Sequence, residues 1–184
     1  MEDRSNIVGS AVTNTEPNSL VTLTYPRFRV QSLELSENGK DFVKSWESLS
    51  LKYYDDNRGF CMVGWGHLVG GLTSCAHQRR TGSITIEDAH DLFAQDVPKH
   101  EELVRSAILV PLYQNEFDAL CSLAYNVGSL KKIAPTLCRK INSGDYAGGA
   151  AEILDITNNG MPGLVKRRRQ EHAMFLACNY DSTH

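Results

Sequence analysis

No run of apolar residues in this chain approaches the roughly 18 that a membrane-spanning helix requires, which excludes membrane insertion by a helix. The first 20 positions carry Glu2, Asp3, Arg4, Asn14 and Asn18 where an export signal needs an apolar run, so the chain reads as made in the cytoplasm without a signal peptide. Cysteine is sparse, and Cys61, Cys75, Cys121, Cys138 and Cys178 show no CxxC spacing, which argues against a zinc site. An excess of positive charge is also missing: 19 Lys and Arg against 22 Asp and Glu leave −3, without the basic signature of a nucleic-acid-binding protein. No internal repeat is visible. What is present, 41% hydrophobic and 22% charged residues in a chain of 184, suffices for one packed domain with an appendage. The charge is uneven, net −6 over residues 1–130 and net +3 over 131–184, so the C-terminal third could face an anionic polymer.

Residues 1–32 are rich in Ser, Thr, Asn, Glu and Pro, and only the run at 20–25 resembles a strand, so they read as an extension to a domain over 33–184. The first helix is expected from Ser36 as N-cap to about Glu47, with Phe42, Val43 and Trp46 as its apolar stripe. Short runs broken by turn residues and glycines over 51–69 predict a small antiparallel sheet, and 70–83 read as loop. Thr85 and Asp88 form a capping pair for a helix that should stop before Pro98, with a separate segment around Leu103 to Ile108. Phe117, Leu120, Cys121, Ala124 and Tyr125 predict a buried central helix ending at Gly128. Shorter helices follow around 136–141 and 146–154, and a last one around 164–176. The plan is α+β: a small sheet lobe, then a larger helical lobe.

One stretch carries candidate chemistry. Glu47 closes an apolar helix beside Trp46, and nine positions later Asp55-Asp56-Asn57-Arg58-Gly59 supplies two carboxylates in a turn. Glycoside hydrolysis needs one carboxyl kept protonated and a second kept ionised, and an apolar helix end and a polar turn are two such environments. Either turn acid, Asp55 or Asp56, can merely bond its own backbone, and the residues alone leave the choice between them open. His67, beside two glycines, is a structural hydrogen-bonding group or a ligand-binding one. Asn126 is a helix cap or a cleft residue. Thr136 reads as the N-cap of its helix with a second place in a substrate groove. Among Arg167, Arg168 and Arg169 at least one should pair with a buried acid. Cys61 and Cys75 flank the second half of the sheet, where a bridge would add roughly 3 kcal/mol on the chain-entropy model and mark an oxidising compartment. Cys121 reads as a small buried hydrophobe.

The ordered series Glu47-x8-Asp56, Gly64-Trp65-Gly66-His67, Ile84-Thr85, Phe117 to Gly128, Pro135-Thr136-Leu137 and Gly163 to Arg168 with Glu171 resembles the phage-type lysozymes, glycoside hydrolase family 24, over about residues 36–178. The resemblance implies a lysozyme-like fold and a muramidase that cuts the β-1,4 bond between N-acetylmuramic acid and N-acetylglucosamine in peptidoglycan, without metal or cofactor and with inversion. It makes Glu47 the general acid and Asp56 the second carboxylate that positions the attacking water, which leaves Asp55 as the turn residue, with Met62, His67, Asn126 and Thr136 as substrate-side residues. The family's third catalytic residue is a Thr six positions after the Asp, and Met62 stands there, a thioether that donates nothing. Ser48 replaces a usual Gly, and the Trp usual before the last helix is missing from residues 152–157.

Two settings fit the resemblance: a phage endolysin, or an antibacterial effector injected into a rival's periplasm by a secretion machine and matched by an immunity protein. A monomer acting in the periplasm is expected in either. The alternative is a lysozyme fold without turnover that serves as a peptidoglycan-binding or protein-interaction module. A hydrolase directed at chitin is a third reading.

Overall fold

The structure, a computed structural model, describes residues 26–183 and the short strand β1 (Ile7–Val8); the strand expected over 20–25 lies outside the described residues. β1 pairs antiparallel with β2 (Arg27–Phe28), and a 3-10 turn at Val30–Ser32 leads to α1 (Glu37–Glu47). Three strands follow, β3 (Ser50–Asp55), β4 (Cys61–Gly64) and β5 (His67–Leu68), in the antiparallel order β3-β4-β5. The helical lobe comprises α2 (Ile86–Ala107), α3 (Gln114–Val127), α4 (Leu130–Ile133), α5 (Pro135–Asn142), α6 (Tyr146–Ile153) and α7 (Pro162–Ala177).

Local chemistry accounts for most boundaries. Ser36 caps α1 by accepting from the Gly39 backbone N–H, and Asp118 holds Ser36 in turn, accepting from its N–H and its hydroxyl. Gly39 is required where α1 crosses α3, because a Cβ there would lie 2.7 Å from Leu35 Cδ1 and 2.8 Å from Asp118 Cγ. Thr85 and Asp88 complete the anticipated capping box of α2. The two segments expected on either side of Pro98 are one 22-residue helix. Pro98 removes one backbone bond, yet the buried stripe of Ala89, Phe93 and Val97 continues through Val104 and Ala107 on the same face, so packing outweighs the lost bond. Thr136 does not cap α5: Ala134 holds the N-cap position and Pro135 is the first helical residue, where its missing N–H costs nothing.

The main core forms around α3, whose Phe117, Leu120, Leu123 and Ala124 are inaccessible to solvent. Trp65, just after β4, reaches this core edge-on to Phe93, so α2 joins the sheet to the helices. A second, small cluster of Cys61, Val63, Val69 and Cys75 lies under the sheet. There Cys61 and Cys75 form the anticipated disulfide across 14 positions. Residues 27–30 are stitched to the helical lobe. Arg27 makes a two-pronged bond to Glu116 at 2.7 and 3.0 Å and lies between the rings of Tyr113 and Tyr146, while Val30 is buried.

The junction from α1 to β3 falls on Ser48, at φ +48° and ψ 121°. A side chain is disfavoured in that region, which is why a glycine suits the position. Ser48→Gly is therefore expected to raise stability by about 1 kcal/mol, read as a higher denaturant midpoint with unchanged slope.

Candidate active site

The two lobes enclose a cleft of about 420 Å³, and Glu47, Met62, Gly66 and Asn126 line it. Glu47 is the last residue of α1, its side chain about one-fifth exposed. Its Oε1 accepts from Arg167 Nη1 at 2.6 Å. Its Oε2 faces Gly66, where even an added Cβ would stay 3.8 Å away. One oxygen of Glu47 is thus held and the other left toward the cleft.

Arg167 belongs to a buried ionic chain. Its Nε donates to Glu171 Oε1 at 3.0 Å and its Nη2 to the Ser122 carbonyl at 3.2 Å. Glu171, wholly inaccessible, also takes Ser122 Oγ at 2.7 Å and faces Arg168 Nε across 2.8 Å. Arg168 Nη2 then donates to Asn126 Oδ1 at 3.0 Å. Burial works against the charge of Arg167, but the carboxylates of Glu47 and Glu171 outweigh it and hold the guanidinium above its ordinary pKa. The expected pairing of a C-terminal arginine with a buried acid is therefore present twice.

Asp56 sits in the turn after β3. Its Oδ1 accepts from the backbone N–H groups of Phe60 and Arg58, both at 2.9 Å, and its Oδ2 from Arg58 Nε at 3.2 Å. These bonds, that from Phe60 foremost, hold its pKa below the ordinary 3.8. The turn residue is thus Asp56 and not Asp55, whose Oδ1 instead accepts from the Cys75 N–H at 2.6 Å. The reason is reach. An Asx turn closes on the N–H two residues ahead, and only Asp56 stands two before Arg58.

His67 points its Nδ1 at the buried carboxylate of Asp96, 2.8 Å away, and Lys99 takes the other oxygen at 2.7 Å. Asp96, Lys99 and His100 line the cleft wall on α2. His100 stacks on Tyr125 with ring centroids 4.1 Å apart, and burial lowers its pKa. Tyr54, directly opposite Met62 across β3 and β4, lines the cleft as well. Thr136 lies elsewhere, in a separate hollow with Pro135, Glu152 and Asp155. Sequence reasoning missed Tyr54 and Asp96. Tyr54 stands two residues before Asp56 near the end of an expected strand, and Asp96 interrupts the apolar stripe between Phe93 and Val97, so a signal for each existed. Among the described residues the cluster with metal-ligand spacing is Asp55, Cys61 and Cys75, whose sulfurs bond each other and leave no thiolate for an ion.

A small sheet lobe and a helical lobe facing a carboxylate at a helix end define the two-lobed glycosidase class. Comparison with known proteins specifies it further. The family described as phage lysozyme matches residues 44–171. The endolysin of Acyrthosiphon pisum secondary endosymbiont phage 1 is 36% identical over 151 residues, 78% of this chain and 98% of that protein. Among solved structures, the endolysin of Escherichia coli O157:H7 phage FAHEc1 superposes with a TM-score of 0.69 at 33% identity, covering 82% of this chain and 98% of that one. The muramidase domain of SpmX from Asticaccaulis excentricus does so at 0.66 and 29%, covering 79% and 99%. The chain belongs to the phage lysozyme family. It is thereby a glycoside hydrolase of the peptidoglycan muramidase class, and among its described residues no helix is long and apolar enough to cross a membrane.

Two predictions follow from the charges. Arg167→Leu strands Glu171 and Glu47 without their shared partner and should cost about 3–5 kcal/mol, measured by chemical denaturation. Asp56, with its folded pKa lowered, contributes stability above its unfolded value of 3.8 that is lost as pH falls through the folded one. The melting-temperature gap between wild type and Asp56→Asn should accordingly be widest near neutrality and close toward pH about 2.

Proposed function

We propose that Glu47 is the general acid of this muramidase, Asp56 the carboxylate that takes a proton from the attacking water, and that the glycosidic bond is cut with inversion. The observation that carries the reading is the division of labour at Glu47. Oε1 is tied to Arg167, and Oε2 is free toward the cleft, where it can carry the proton for the leaving oxygen. Asp56, held ionised by its turn, supplies the second environment that the chemistry needs. Met62 and Asn126 flank the glycan, and His67 acts through Asp96 to fix the wall on α2.

The catalytic unit is residues 33–184, with the extension 1–32 anchored to it through Arg27 and Val30. The Cys61–Cys75 bridge fits work in an oxidising periplasm, which both an endolysin and an injected effector with a cognate immunity protein would reach. A monomer suffices, since cleft and carboxylates come from one chain.

Digestion of purified Gram-negative peptidoglycan, with mass spectrometry of the soluble fragments, tests the reading. Wild type should release products with N-acetylmuramic acid at the new reducing end, and Glu47→Gln at least about a thousandfold less. Wild type that sediments with peptidoglycan and releases nothing would make the protein a binding module. Equal rates for both proteins would remove Glu47 as the acid.

A further inference from the structure

Inverting hydrolysis requires a water held in one orientation on the face of the sugar opposite the leaving oxygen. Asp56 alone cannot hold it. Its Oδ1 already accepts two backbone N–H bonds and its Oδ2 one from Arg58, so a single lone pair remains for water. One hydrogen bond leaves that water free to turn about the bond axis, and its attacking lone pair is then unaimed. A second polar group is needed, and Met62 offers only a thioether that accepts weakly and donates nothing.

Tyr54 is the side chain that the sheet presents at this point. It lies directly opposite Met62 in the β3–β4 register, so the two share a face, and that face looks into the cleft that holds Glu47. Asp56 follows two residues on, in the turn that ends β3, and its charge acts on the Tyr54 phenol. Its hydroxyl both donates and accepts, and unlike a Thr hydroxyl on β4 it stands at the end of a ring, so it reaches the cleft from the neighbouring strand. We propose that the Tyr54 hydroxyl is a catalytic group that orients the attacking water beside Asp56, supplying from β3 the hydrogen bond that Met62 on β4 cannot supply. The inference rests on the reading of Glu47 and Asp56 above.

The step balances. The water oxygen bonds to the anomeric carbon as the bond from that carbon to the leaving oxygen breaks. The leaving oxygen keeps the electron pair and takes the proton from Glu47 Oε2. One water proton passes to Asp56, the other stays as the new anomeric hydroxyl, and Tyr54 keeps its own. Burial first, with the charges of Glu47 and Asp56 adding to it, raises the Tyr54 pKa, so the phenol is neutral throughout and both carboxylates lie close enough to act on it. Exchange with solvent then restores the proton on Glu47 and removes it from Asp56.

A four-way comparison tests this: wild type, Tyr54→Phe, Met62→Thr and the double variant, with kcat and KM for release of soluble fragments from purified peptidoglycan and Glu47→Gln as a reference. Tyr54→Phe removes one oxygen atom, and it should lower kcat about tenfold to a hundredfold with KM within about twofold. Met62→Thr should recover at least about tenfold of that loss in the Tyr54→Phe background, where its hydroxyl is the sole orienting group, and gain less than about threefold in the wild type. A structural role for Tyr54 would give no such rescue. Tyr54→Phe with wild-type kcat, a loss confined to KM, or a double variant no faster than Tyr54→Phe would each overturn the proposal. A wild type without turnover overturns the acid assignment and this inference together. Glu47→Gln as fast as wild type overturns the acid assignment alone, because the Tyr54 and Met62 arms still decide who orients the water.

Discussion

A single guanidinium, that of Arg167, joins parts of the chain 120 residues apart: the end of α1, where Glu47 sits, and the last long helix. It is 3% exposed, and its partner Glu171 is not exposed at all. Such a charge is tolerable only when every direction of its planar fork meets an acceptor, which Glu47, Glu171 and the Ser122 carbonyl provide. Lys at this position could not serve three acceptors in one plane. The position of the cleft carboxylate is thus set from the far end of the molecule, by helix packing on α3, rather than by α1 alone. Asn126 is fixed in the same way, through Arg168.

From this constraint the site acquires two walls of different character. The sheet side presents Tyr54 and Met62, and the turn beyond them is closed on Asp56 by backbone bonds that are local and independent of the helical lobe. The helical side holds Glu47 and Asn126 by charges buried in the core. On α2, Asp96 gathers His67 and Lys99 and so ties the end of the sheet to the same wall. The disulfide keeps the sheet's own loop in register beneath Asp55.

Much of this was legible in the residues. Ser36, Thr85 with Asp88, and Gly128 marked helix ends because capping is local chemistry, read within four positions. Pro98 misled for the same reason: the rule for proline is local, whereas the stripe that keeps α2 continuous is decided by what packs on it. Asp55 and Asp56 were exchanged in their turn roles because both are Asp, and only the distance to Arg58 separates them. Thr136 is not the cap because Pro135 before it takes the first helical position, a signal that the sequence itself carries. The Glu47–Arg167 contact was beyond reach, since nothing in a sequence says which of three successive arginines turns toward a residue 120 positions away.

The ionic chain also bears on the proposed chemistry. Its contribution there is geometric. Arg167 takes Oε1 of Glu47 and so fixes the rotation of the carboxyl, which leaves Oε2 as the oxygen presented toward the cleft. Turning that carboxyl out of its plane would break a charge-assisted bond at 2.6 Å to a buried guanidinium, so the oxygen that meets a glycan is aimed before the glycan arrives.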